Sequence, residues 1–206
     1  MRQMSVLLVV LFLCVGSWAS AGPITYAVTV DTSSIFGTAG SLDFNFNPGP
    51  LVTQAASLQI LSLSGNGSLA GGPSLTGDVS GALPATVTFD NGSGFNDYFE
   101  GFTYGSTLTF RVYLYGPALC CPDGTSTSGS TFAFSMFSDP AGTILVLTTD
   151  TVNGFAFTVD VNLDGTTTVT NFSSETAVSA VPEPNSFMFM GTAIAVFGKL
   201  LRRKRA

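Results

Sequence analysis

Three groups of side chains have the types and spacing to do chemistry. Asp160, Asn162 and Asp164 alternate and are followed by Gly165. This matches the first half of a calcium loop, in which alternate oxygens and a glycine let the chain curl around a hard cation. Position twelve of that pattern is Asn171, where a bidentate Glu belongs, and the flanks alternate like strands. The other reading is a hairpin with Asp164-Gly165 in its turn. Asp97, Tyr98 and Glu100 lie in Asn-Asp-Tyr-Phe-Glu. Acids beside aromatic rings suit a sugar-binding face, the rings stacking on pyranose faces while the acids bond hydroxyls; a polar turn between core strands is the alternative. Tyr104, Tyr113 and Tyr115 supply further rings. Cys120 and Cys121 are adjacent. In an exported chain they are expected to be oxidised, as a vicinal or an intermolecular disulfide, with free thiols the alternative.

The chain has no histidine. That removes Ser-His-Asp and Cys-His nucleophile systems and makes a metal site at the cysteines a poor expectation. A two-carboxylate glycan hydrolase is the one catalytic chemistry left open. The expectation is a protein that is not an enzyme and needs no cofactor, calcium apart.

Charge divides sharply along the chain. Between residues 22 and 182, Arg111 stands alone against 12 acidic residues, a net charge of −11. Such a surface repels nucleic acid and anionic lipid and attracts cations. The other basic residues sit near the two ends: Arg2, then Lys199, Arg202, Arg203, Lys204 and Arg205.

The elements that must position these groups are strands. Glycine (23) and phenylalanine (18) are abundant, and apolar residues recur with period two. Ile24, Tyr26, Val28 and Val30 share one face. So do Leu42, Phe44 and Phe46, ahead of the stop Asn47-Pro48-Gly49-Pro50. A strand near 56–63 changes phase between Ile60 and Leu61, which predicts a bulge there. Further strands are expected over 85–89, 98–104, 108–114, 132–136, 144–147, 155–161 and 166–172. Residues 65–81 are Gly- and Ser-rich and give no clear pattern, and 116–129 reads as a long loop. So many short strands between turn signals predict an all-β protein with a single β-sandwich, jelly-roll-like, over 22–172, followed by a linker over 173–180.

The two ends read as addresses. Arg2, the apolar run Val6 to Val15 and Ala19-Ser20-Ala21 form a signal peptide over 1–21, with a mature chain starting at Gly22. Export then runs through the Sec translocon. At the other end stands Val181-Pro182-Glu183-Pro184. An apolar stretch from Phe187 to Leu201 follows, interrupted by Lys199, and then the basic residues Arg202 to Arg205. Its 15 residues fall short of the roughly 20 that a relaxed span needs. Lys199 can snorkel, and the basic end stays cytoplasmic.

Motif, order and terminal position resemble the PEP-CTERM sorting signal of Gram-negative bacteria over 181–206. An ordinary C-terminal anchor with a Pro-rich stalk is the alternative. The resemblance implies recognition of Pro182, Glu183 and Pro184 by an exosortase, a membrane cysteine peptidase. It further implies a transmembrane helix that holds the chain in the membrane before processing, and release to the cell surface or extracellular matrix. That family accompanies exopolysaccharide and biofilm production, so exopolysaccharide is an implied partner. Residues 152–173 and two Phe- and Asn-containing turn stretches resemble an uncharacterised subgroup of such proteins, which implies no activity.

Overall fold

The computed structural model describes residues 22–182. These residues form thirteen strands divided between two antiparallel sheets: β1 (Ile24–Asp31), β2 (Ala39–Pro48), β3 (Ser57–Gly65), β4 (Ser68–Leu69), β5 (Ser74–Thr76), β6 (Val79–Gly81), β7 (Val87–Asp90), β8 (Asp97–Thr103), β9 (Thr107–Tyr115), β10 (Ser130–Phe137), β11 (Phe155–Val161), β12 (Thr167–Asn171) and β13 (Thr176–Val181). One sheet runs β13-β1-β9-β3-β7-β6. The other runs β12-β11-β10-β2-β8-β4, with β5 also on β8. One helical turn, α1 (Pro117–Cys120), follows β9.

Period-two sequence makes this architecture. Val28 and Val30 from β1, Leu58 and Ile60 from β3, and Phe110, Val112 and Leu114 from β9 are buried. They pack against Leu42, Phe44 and Phe46 from β2, Phe132 and Phe134 from β10, and Phe157 and Val159 from β11. The all-β expectation holds: two sheets share one apolar core. Phe44 sits at its middle, with ring centroids of Phe134, Phe110 and Tyr98 at 4.9, 5.4 and 6.2 Å. Gly40 in β2 lets a ring in, because a Cβ there would strike the Phe137 carbonyl oxygen and the Tyr104 ring. Tyr104 Oη donates across that gap to the carbonyls of Ser41 (2.8 Å) and Phe137 (3.1 Å). Burial pushes its phenol above the ordinary range.

Four expectations are corrected. Residues 173–180 are not a linker along their length: Thr176–Val181 pairs with β1 from Thr25↔Val181 to Val30↔Thr176, so the sheet continues to Val181. Ile144 to Leu147 makes no strand. It holds one bridge, Phe137↔Leu145; Ile144 is exposed and Leu147 has φ 54°. The bulge in β3 falls between Leu61 and Ser64, where Ser62 takes φ 56°, rather than between Ile60 and Leu61. Residues 65–81 carry the short strands β4, β5 and β6.

The signal-peptide residues Ala19 and Ala21, the motif residues Glu183 and Pro184, and Lys199, Arg202, Arg203, Lys204 and Arg205 lie outside the described residues. Gly22 and Pro182 are the exposed first and last residues described.

Candidate functional site

The proposed sugar face is split by the pleat of β8. Successive side chains of a strand point to opposite faces, and β8 shows that alternation in its burial from Asp97 to Phe102. Tyr98 is wholly buried and Glu100 is 3% exposed, so both face the core, while Asp97 is half-buried on the other side. Tyr98 Oη donates to Glu100 Oε2 and accepts from the Leu83 amide at 3.0 Å. Glu100 Oε1 accepts from the Gly71 amide at 3.2 Å. Burial, then the Glu100 carboxylate, push the Tyr98 phenol above its ordinary range. The trio therefore offers no shared surface for a sugar, and Tyr98 and Glu100 pin the 71–83 segment to the sheet. Tyr98→Phe should cost about 1–3 kcal/mol by stranding the Leu83 amide and Glu100, read by urea unfolding. A stability unchanged from the parent would remove this role.

Tyr113 and Tyr115 lie on the outer face of the other sheet. Both are half-buried, with centroids 5.2 Å apart and planes 19° off parallel. Arg111 follows the same alternation along β9 and is exposed.

The calcium-loop pattern is a hairpin turn. Asp164 Oδ1 accepts from the Thr166 amide (3.0 Å) and hydroxyl (2.6 Å). The Asn162 side chain presents its nitrogen, donating to the hydroxyls of Thr166 and Thr168 at 3.0 Å. Asp160 accepts from Thr131 of β10 at 2.6 Å. Gly165, at φ 80°, makes the turn. The three side chains are thus spent on separate local partners. Among the described residues no group of three His, Cys, Asp or Glu converges.

Cys120 ends α1 and Cys121 caps it, their sulfurs 2.7 Å apart. Hydrogen bonding to Cys120 raises the Cys121 thiol. Gln54 Nε2 ties the loop down by donating to the Cys121 carbonyl at 2.9 Å.

One constellation escaped sequence reasoning. Asp43 and Asn45 of β2 lie on the face away from the core, and Asn45 is directly opposite Asp97 of β8. Asp97 stands diagonally across from Asp43 and acts on its carboxyl by hydrogen bonding and charge. Asn45 Nδ2 donates to Asp43 Oδ1 at 2.7 Å. Desolvation first, then Asp97, push the Asp43 carboxyl up to about 9. This polar face is unusually dry: Ser41 is fully buried, Ser135 1% and Asn45 9% exposed. The chain after β10 covers part of it, Ser41 Oγ donating to the Asp139 carbonyl at 3.0 Å and Gly142 lying against the Phe99 ring. The signal in sequence was Asp-Phe-Asn with both polar residues on one face. Only the strand register brings Asp97 to them.

Leu63, Leu69, Pro84, Phe102 and Leu108 line a mostly apolar pocket of about 190 Å³ beside the β3 bulge. No described helix is long and apolar enough to cross a membrane.

Fold and site together define a two-sheet, all-β protein with a dry acidic cluster on one outer face. No family model, curated protein or solved structure matches the chain.

Proposed function

We propose that this chain is an exported, exosortase-processed protein of the cell surface or extracellular matrix, non-catalytic and structural in an exopolysaccharide-rich biofilm. The observation that carries the reading is where the sheet ends. β1 begins at Ile24, two residues past Gly22, and β13 ends at Val181, the first residue of Val-Pro-Glu-Pro. These two strands pair, Thr25 opposite Val181, so both expected processing points leave the same end of the same sheet edge. The folded part occupies the interval between the two addresses, as cargo would. Its strand order supports a jelly-roll-like topology: β1-β9-β3-β7 in one sheet and β2-β8-β4 in the other interleave as two Greek keys do, with β10 to β13 added at the edges.

Replacing Pro182, Glu183 and Pro184 together by alanine tests the motif. The variant should stay in the inner-membrane fraction of a host that processes the parent. Release equal to the parent would remove the motif from the account.

A second reading, binding of the cell's own exopolysaccharide, is favoured by the Tyr113–Tyr115 pair. Rings on an open sheet face beside Arg111 are suited to stacking on sugars. Tyr113→Ala with Tyr115→Ala should abolish retardation in a gel containing that polysaccharide; equal retardation, or none with the parent, dismisses it.

A further inference from the structure

We propose that Cys120 and Cys121 are a thiol–disulfide exchange site. One sulfur attacks a small external disulfide and the other resolves the adduct, closing a disulfide within the chain rather than a bridge to a second chain. The chemistry does not depend on the sorting reading.

Adjacent cysteines do not close readily by themselves. Their Cα atoms stay about 3.8 Å apart across a trans peptide. That is short of the roughly 4.4–6.8 Å that a disulfide usually spans, so the ring is strained. The fold offsets this by holding the sulfurs together. They are 2.7 Å apart, so bonding at about 2.05 Å needs a shift of under about 1 Å. Three contacts fix the segment that carries them. The Cys121 amide donates to the Pro117 carbonyl at 2.8 Å. Gln54 clamps the other side, its Nε2 donating to the Cys121 carbonyl and its Oε1 accepting from the Asp123 amide, each at 2.9 Å. Gly165, in the turn between β11 and β12, packs so closely that a Cβ there would meet the Leu119 carbonyl oxygen and the Pro122 ring at 3.0 Å. A fixed encounter of this kind replaces a search and speeds closure.

Exposure orders the steps. Cys121 is exposed and Cys120 is half-buried. The Cys121 thiol loses its proton to solvent, and its thiolate attacks one sulfur of the external disulfide. That S–S bond breaks and one thiolate leaves. Cys120, deprotonated in turn, attacks the Cys121 sulfur of the mixed disulfide and expels the second thiolate. The two cysteines lose two electrons, and the external disulfide gains them as two thiols. A second chain competes poorly. It carries the same strongly negative charge, which opposes its approach, and Cys120 already lies against the sulfur it would have to reach.

Mixing the reduced full-length chain, in detergent, with oxidised glutathione at about pH 8.5 tests the site. Quenching with N-ethylmaleimide and digesting with trypsin gives the fragment 112–199, which holds Cys120 and Cys121 and no other cysteine. By mass spectrometry that fragment should carry neither maleimide nor glutathione and be two hydrogens lighter than its reduced form. Cys120→Ser should stop at one glutathione held on Cys121. Closure should be about tenfold or more slower in urea than in the folded parent, and about threefold or more slower in Gln54→Ala. Four results would overturn the site: two maleimides on the parent fragment, a lasting glutathione adduct on it, its cross-linking to another fragment or chain, or closure as fast in urea or in Gln54→Ala as in the parent. Where a variant fails to fold, the parent fragment and its rate in urea still decide.

Discussion

Phe44→Ala is expected to destabilise the protein by about 3–5 kcal/mol, enough to lower Tm by about 10 °C or more. Phe44 is wholly buried. Its ring meets Phe110 from the opposite sheet edge-on and lies beside Phe134 and Tyr98 in its own sheet. Truncation removes the ring where four aromatic side chains converge, and the strands around it are held by ladders on both sides, since β2 pairs with β8 and β10. The hole therefore cannot collapse easily, which places the cost in the upper part of the usual range. Thermal unfolding followed by circular dichroism measures it. A loss under about 1 kcal/mol would mean that the two sheets do not share this core.

The second large effect is on pH dependence. Desolvation first, then Asp97, push the folded Asp43 carboxyl up to about 9, against 3.8 for an ordinary aspartate. Between those values the folded state binds one more proton than the unfolded chain. Stability should therefore fall as pH rises through that window, by up to about 1.4 kcal/mol per pH unit from this group. Asp97 is the titratable group facing Asp43, and Asn45 is its neutral donor. The surface carboxylates Asp31, Asp123 and Asp164, and the half-buried Asp139 and Asp150, act in the opposite sense. Their local hydrogen bonds hold them below 3.8, so what they contribute is lost as pH falls through the acid range. Asp43→Asn should flatten the fall above pH 4 and raise Tm at pH 8 more than at pH 4.5. A parallel profile for parent and variant would show that Asp43 titrates normally.

The strands were legible because their apolar residues are large and strictly alternate. Leu108, Phe110, Val112 and Leu114 could hardly face anything but a core, and Asp164-Gly165 marks its turn by backbone requirement. β13 was missed because Thr-Ala-Val-Ser-Ala-Val is small and weakly alternating, and only its pairing with β1 stabilises it. Ile144 to Leu147 misled for the opposite reason. A short apolar run can pack against a core from a turn without joining a ladder, as Val146 and Leu147 do. The sugar face failed on a point that period two already contained: Asp97 cannot share a side with Tyr98 and Glu100. The Asp43–Asn45–Asp97 cluster was invisible for a different reason. Its members come from strands distant in sequence, and register is a property of the assembled sheet.

The central claim is that the β-sandwich is cargo delivered by its two terminal addresses. The most direct measurement is the intact mass and cell fraction of the chain, in its native host with and without the exosortase. The account predicts a product beginning at Gly22 and ending near Pro182 to Pro184, released from the membrane only when the exosortase is present. A product that still carries Arg205 and stays in the inner membrane of both strains would contradict it, leaving a plain C-terminal anchor.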